Sequence, residues 1–203
     1  QNSYPVIEKW GWIFVWMGDA ELADESKVPD FHYMDDPEWA GRGTTLHIEA
    51  AYNLIYENLL DLTHAKYVHK TTLATDDVTD HPLIVEEVGI EKTSPFFNHC
   101  AGFTQPVDHT QHITFTPATY IMINTRVQSA AGTTENKFAE FRVINALTPE
   151  KAGSTHYFWN LRRNFALEDD ELDEWIFNGN SGAFAEDKVI IELQQQMWDT
   201  VPE

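Results

Sequence analysis

NLIYENLLDLTHAKYVHK, residues 53–70, combines an apolar helical pattern with ligand-type side chains in the spacing D-x2-H-x4-H: Asp61, His64 and His69. Asn58, Asp61 and His64 follow one another at intervals of three, which places them on one face of a helix. Leu54, Ile55, Leu59, Leu60 and Leu62 leave little of that helix polar, so the row is expected in or beside the interior. Buried polar groups cost free energy unless they are paired or bound to a metal, so the row needs a partner. His64 and His69 are five residues apart, about 140° around a regular helix. Both imidazoles reach one point only if the helix ends, tightens or bulges between them.

Outward from this stretch the pattern becomes that of a sheet. Upstream, GTTLHIEAAY at 43–52 reads as a strand feeding the helix, with His47 a packed or surface residue within it. Downstream, TTLATDDVTDHP is a polar loop. Six strand-like runs follow: LIVEEVGIEKT, PFFNHCAGF, HITFTP, ATYIMINTRVQS, NKFAEFRVINALTP and STHYFWNLRRNF. Short connections imply antiparallel pairing, and SAAGTTE reads as the turn of a hairpin. The chain closes with a helix over 168–177, an interruption at NGNSG, and a last helix from Ala183 to about Trp198. Ile190, Leu193 and Met197 form its expected core stripe. The class is α+β, with helices against one side of a curved antiparallel sheet.

Residues 4–17 read as two short strands broken near Lys9–Gly11, and WIFVW is apolar enough to be expected packed on both faces. Gly18 to Asp36 reads as a linker with at most a turn of helix. The organisation expected is a leading tail over 1–18, a linker over 19–42 and a main domain over 43–203. The start at Gln1 reads as the edge of a fragment, a processed end or a point within a longer chain.

With 33 acidic and 13 basic residues the net charge is −20, which argues against nucleic acid and anionic membrane surfaces as partners. No apolar run approaches the roughly 20 residues that span a bilayer. The single cysteine, Cys100, excludes a disulfide framework or a cysteine-ligated cluster within these residues, and a reducing cytoplasm is the default. Cys100 lacks a cationic setting beyond His99 and reads as buried and inert.

Two histidines and one carboxylate on one face of an octahedron suit iron(II) that binds dioxygen and substrate side by side. Asp187, early in the last helix, is the carboxylate able to return over the histidines. By the blocks NLLDLTHAKYVHK (58–70), AEDKVIIE (185–192), HYFWNLRRNF (156–165) and YPVIEKWGWIFVWMGDAELAD (4–24), the chain resembles the catalytic domain of Rieske non-haem iron oxygenases. The similar branch is that of vanillate O-demethylase oxygenase and dicamba monooxygenase.

The resemblance implies a helix-grip fold with a long C-terminal helix, and His64, His69 and Asp187 as ligands of a mononuclear Fe(II). It makes Asn58 a residue close to the metal. Asp61 becomes the acidic link from a ligand histidine to a cluster histidine of the neighbouring subunit, and a carboxylate there also suits orientation of a ligand histidine. It further implies dioxygen as co-substrate, monooxygenation or O-demethylation of an aromatic substrate, a separate reductase or ferredoxin as electron donor, and a head-to-tail homotrimer. The family's N-terminal [2Fe–2S] domain uses C-x-H and C-x2-H pairs, and these residues hold none. Residues 1–18 then correspond to the tail of that domain or the junction after it, and this stretch alone is expected to turn over poorly.

Other residues carry two readings. Asn124, with Tyr120 and Met122, and Asn145, with Phe141 and Val143, suit polar groups in an aromatic substrate wall. Asn145 stands where some resembling enzymes have histidine, and backbone satisfaction explains it equally. Arg126 and His156 suit a substrate carboxylate, although a surface ion pair and a core hydrogen bond account for them. His109 and His112 read as part of a solvated loop. Two other functions remain open from the sequence: a helix-grip carrier of hydrophobic ligands, which has no use for three converging ligands, and a zinc hydrolase, which the absence of H-E-x-x-H weakens.

Overall fold

The computed structural model describes residues 3–69, 99–116 and 120–200. Its centre is a five-stranded antiparallel sheet built from β3 (Gly43–Ile48), β4 (Val107–Thr116), β5 (Tyr120–Ser129), β6 (Phe138–Lys151) and β7 (Ser154–Arg163), in the order β3-β7-β6-β5-β4. Two more strands, β1 (Val6–Lys9) and β2 (Trp12–Val15), form a separate hairpin. Three helices are bounded within the described residues: α1 (Tyr52–Leu60), the single turn α2 (Ala65–Val68) and α3 (Asp170–Trp198). This is the helix-grip arrangement, with α3 held by the sheet.

Alternation along the strands assigns the two faces. Ile121, Phe141, Leu147, Tyr157, Trp159 and Leu161 turn toward the helices and meet Ile55, Leu59, Ile176, Phe184 and Ile191. Trp159 stacks on Phe177 at 5.5 Å and lies 5.0 Å from Phe184. On the opposite face Ile144, Tyr120 and Met122 pack with Phe14 and Phe31, so the β1–β2 hairpin and the segment after it cover the back of the sheet. Only one face of WIFVW is buried: Phe14 is 9% exposed, whereas Ile13 is 72% and Val15 48%. The expectation of burial on both faces is corrected accordingly.

The run from Gly18 to Asp36 holds three 3-10 turns, at Ala20–Leu22, Glu25–Lys27 and His32–Met34, rather than one turn of helix. Entry into β3 depends on close approach to β7. A Cβ at Gly43 would fall 1.8 Å from the Trp159 carbonyl oxygen, so a side chain there would force the strands apart.

Four of the six expected downstream strands are observed, and SAAGTTE is the β5–β6 turn. LIVEEVGIEKT and TTLATDDVTDHP lie outside the described residues. The end of PFFNHCAGF is helical over 99–101 rather than extended, with Cys100 buried and its thiol pushed up to about 12 by burial. DHTQHITF is strand, not loop: His109 is buried, and burial pushes its pKa down to about 4, so it is neutral near pH 7.

NGNSG does not interrupt the last helix. α3 runs unbroken for 29 residues because Ile176, Asn180, Ala183, Phe184, Asp187 and Ile191 form a continuous buried stripe through it. Asn180 returns its amide to the Ile176 carbonyl at 3.0 Å, so the residue that suggested a break is paired within the helix. The stripe is displaced by about a residue from the one expected. Ile190, Leu193 and Met197 are exposed, and Ile191 and Asp187 take the inward positions. Asp169 caps the helix by accepting from the Leu172 amide, and Asp170, Glu171 and Asp173 favour its N-terminal dipole. Among the described residues no helix is long and apolar enough to cross a membrane.

Candidate metal centre

The first functional element is the end of α1. Ile55 and Leu59 bury one face of the helix, which stops at Leu60 because Asp61 adopts an extended conformation (φ −91°, ψ 93°). The Asp61 carboxylate then caps the next turn, accepting from the Thr63 amide at 2.9 Å and the Thr63 hydroxyl at 2.6 Å. A 3-10 turn over Leu62–His64 and the four residues of α2 follow, and His69 leaves the helical region at φ −100°, ψ 33°. The helix thus breaks, tightens and ends in succession. That sequence of irregularities brings two imidazoles five residues apart to one point.

His64 Nε2 and His69 Nε2 are 3.2 Å apart. From the middle of α3, Asp187 Oδ1 lies 3.2 Å from His69 Nε2 and 3.5 Å from His64 Nε2. Asp187 is 6% exposed and His69 4%, so this meeting occurs in the interior. Asn58, on α1, donates its Nδ2 to Asp187 Oδ1 at 3.3 Å. Four of the residues singled out from sequence, His64, His69, Asp187 and Asn58, therefore converge.

The far nitrogens of the rings fix the chemistry of the near ones. His64 Nδ1 is hydrogen-bonded to the backbone carbonyl of Asp61, and a carbonyl can only accept. His69 Nδ1 lies 2.9 Å from Glu186 Oε2, a carboxylate that also accepts. With both Nδ1 atoms donating, neutral rings turn Nε2 lone pairs toward each other and toward Asp187 Oδ1. Three lone pairs at 3.2–3.5 Å repel unless a cation sits among them. With bonds of about 2.1 Å, ligand atoms at right angles stand about 3 Å apart, close to this arrangement. The donor set fits a first-row divalent ion with positions left open.

Burial opposes charge on His69, but its hydrogen bonds to Asp187 and Glu186, reinforced by their negative charge, raise its pKa above the ordinary histidine value. Deeper in the core, burial and the charge of Asp187 keep the Tyr157 hydroxyl protonated far above its usual range.

Several expectations are corrected. Asp61 does not share a helical face with Asn58 and His64; its carboxylate is exposed and caps its own turn, and its main-chain carbonyl orients His64. The carboxylate that orients a ligand-type histidine is Glu186, which the sequence pattern did not single out. Its position immediately before Asp187 in AEDK was the available signal. Asn124 pairs with Arg142 on the sheet face away from the triad and cannot share a pocket with Asn145, which pairs with Ile121 on the helix face. Paired residues share a face, and Arg142, the partner of Asn124, is three residues from Asn145 along β6, an odd step that sends the two asparagines to opposite sides. Asn124 Oδ1 is buried without a hydrogen-bond partner among the described residues. Asn145 is fully buried; it donates to the carbonyls of Ile121 and Val143 and accepts from Tyr157 at 2.7 Å. Arg126 makes the expected ion pair, with Glu140 at 3.0 Å. His156 meets the ring of His47 instead of a core partner.

Residues 48–202 match the family model described as the vanillate O-demethylase oxygenase C-terminal domain. The chain belongs to that family. It is the catalytic-domain part of the Rieske oxygenase architecture. The vanillate O-demethylase oxygenase subunit of Pseudomonas sp. (strain HR199 / DSM 7063) is 34% identical over 221 residues, covering 100% of this chain and 62% of its own length. The crystal structure of dicamba monooxygenase bound to 3,6-dichlorosalicylic acid superposes with a TM-score of 0.83 at 29% identity, covering 95% of this chain and 60% of the other. A further dicamba monooxygenase structure, with non-haem iron and dicamba, has a TM-score of 0.74 at 29% identity, over 95% of this chain and 58% of the other. The chain therefore spans about three fifths of the relatives it matches.

Glu186→Gln is the sharpest test of the supporting carboxylate in this family member. The amide retains shape but not charge, and loss of an outer partner of a ligand histidine typically costs 10–100-fold in metal affinity. A drop of that size is expected in a competition titration against a chelator, with the fold unchanged by circular dichroism.

Proposed function

We propose that this chain is the mononuclear-iron catalytic domain of an oxygenase component that carries out dioxygen-dependent monooxygenation of an aromatic substrate, by hydroxylation or O-demethylation. The observation that carries the reading is the convergence of His64 Nε2, His69 Nε2 and Asp187 Oδ1 within 3.5 Å of one another, backed by acceptors on both far nitrogens. Fe(II) held there by three side chains supplies dioxygen activation through the coordination positions they leave open.

The protein's own residues prepare that chemistry. Glu186 and the Asp61 carbonyl fix both imidazole tautomers, and Asn58 steadies the Asp187 oxygen. The apolar side chains of Ile113, Ile123 and Val143, partly buried on the helix side of the sheet, offer a wall for an aromatic ring, with Asn145 behind them. Asp61 presents its carboxylate at the surface beside the His64 turn, the position expected of a link to a neighbouring subunit. A homotrimer, a [2Fe–2S] domain preceding this region, and a reductase or ferredoxin delivering electrons complete the scheme. The division into a junction at 1–18, a linker at 19–42 and a catalytic domain at 43–203 belongs to the same proposal. In the net reaction dioxygen, two electrons and two protons yield one oxygen inserted into a C–H bond and one water. If the C–H belongs to a methoxy group, the hemiacetal formed collapses to a phenol and formaldehyde.

A carrier of hydrophobic ligands has no use for three buried ligand atoms around one point. A hydrolase would work with zinc alone. The two are separated from the oxygenase by supplying hydrogen peroxide, which is dioxygen already reduced by two electrons and so needs no electron donor. The Fe(II)-loaded protein is expected to release formaldehyde from a methoxybenzoate under peroxide. Ester or amide turnover restored by Zn(II), with none of the oxygenation, would overturn the reading.

A further inference from the structure

On the sheet face opposite the triad, a second group of ligand-type side chains meets. His47 on β3 and His156 on β7 are cross-strand partners, so both rings leave the same face, with centroids 5.1 Å apart. Glu150, beside the register irregularity between Pro149 and Lys151, turns its carboxylate toward them, with Oε2 3.0 Å from His47 Nε2. One donor atom from each of the three lies within 4.8 Å of both others. Among the described residues, this cluster and the triad are the two that bring three such groups together.

The cluster has supports of its own. Glu49 Oε1 lies 3.4 Å from His47 Nδ1 and Glu150 Oε2 lies 3.0 Å from its Nε2, so a cation bound at Nε2 displaces the proton shared with Glu150 while Glu49 holds one at Nδ1. Ser154 donates its hydroxyl to Glu150 Oε2 at 2.7 Å, fixing that carboxylate. Lys188 donates to the His47 carbonyl at 2.6 Å, but its charge is paired with Glu192. The surroundings of the two rings remain net acidic.

We propose that His47, Glu150 and His156 form a second metal site, which takes a divalent first-row ion of the zinc or copper class on the outer face of the sheet. Two imidazoles and a carboxylate suit such an ion, and bonds of about 2.1 Å set their donor atoms roughly 3–3.5 Å apart. Glu49 is a positioning residue on the far nitrogen of His47. The ion clips the edge strand β3 to the β6–β7 hairpin, and because His47 and Glu150 are exposed it exchanges readily with solution. The inference is independent of the oxygenase reading, since the two clusters share no residue and lie on opposite faces of the sheet.

Calorimetric titration of Zn(II) into the intact protein carrying His69→Ala and Asp187→Ala, which removes competition from the triad, is expected to show one equivalent bound. His47→Gln and His156→Gln, each added to that background, are expected to weaken binding at least about tenfold. With Cu(II) as the probe, paramagnetic resonance is expected to show coupling to two imidazole nitrogens, falling to one in either variant. The protein with its triad intact gives a second reading: two equivalents of Zn(II) bound, falling to one with His47→Gln. No stoichiometric uptake in the background protein, or uptake that both glutamine variants leave unchanged, would overturn the proposal.

Discussion

Asp187→Asn is expected to leave a folded protein that no longer retains iron. Asparagine has the shape of aspartate and its carbonyl can still accept from Asn58, so the packing around α3 is kept. What disappears is the negative charge among two imidazole lone pairs, from the carboxylate that, among the described residues, lies against both Nε2 atoms. Losing an outer partner typically lowers metal affinity 10–100-fold, and losing a direct ligand is expected to exceed the upper end of that range. Iron content after dialysis against a weak chelator should fall from about one per chain to near zero, and formaldehyde release under peroxide should fall with it. Thermal unfolding of the metal-free proteins separates this from misfolding: the variant should melt close to the parent, since its carboxylate is costly to bury without an ion.

Trp159→Ala is expected to lower stability by about 3–5 kcal/mol, the usual cost of deleting a large aromatic from a packed core. Trp159 is 1% exposed at the centre of β7, stacked on Phe177 and close to Phe184, so it ties the sheet to the first half of α3. The cavity would open directly beneath the helix that carries Glu186 and Asp187. Chemical denaturation should show the loss in the midpoint with the slope unchanged. Metal affinity is expected to fall as well, although no ligand is altered, because α3 would no longer be held in register with the His64–His69 turn. Trp159→Phe, which keeps a ring in the stack, should restore most of both properties.

The sequence exposed this architecture unevenly, and the physical reasons are particular. Alternation and turn residues made β5, β6 and β7 legible, because an antiparallel sheet buried by α3 on one face and by the N-terminal segment on the other leaves its pattern in every strand. The meeting of His64 and His69 was legible because two histidines that cannot share a regular helix face reach one point only through a broken helix, and Asp61 supplies the break by capping the turn that follows. Local signals failed where tertiary packing overrode them. NGNSG contains helix-weakening residues, yet a stripe of six inward side chains holds α3 together, and the same stripe moves the core face from Ile190 to Ile191. WIFVW is apolar throughout but buries only Phe14 deeply.

Support for the centre was the least visible feature. Asp61 looked like the carboxylate that orients a histidine because it is near in sequence. The structure assigns that task to Glu186, 117 residues from His69, and to a backbone carbonyl that no sequence pattern marks. The expectation that Asn124 and Asn145 share one wall failed on strand parity, which becomes decidable only once the β5–β6 register is known. His47 and His156 looked unremarkable singly because the signal lies in their pairing across β3 and β7.

The central claim is that His64, His69 and Asp187 hold one iron atom with coordination positions left open. Paramagnetic resonance of the Fe(II)-loaded protein after exposure to nitric oxide tests it most directly, because a nitrosyl signal requires both bound iron and an open position. One equivalent of the high-spin iron–nitrosyl signal is predicted for the parent protein, and none for Asp187→Asn or His69→Ala. Full signal intensity in both variants, or iron bound stoichiometrically in the parent with no nitrosyl signal, would contradict it.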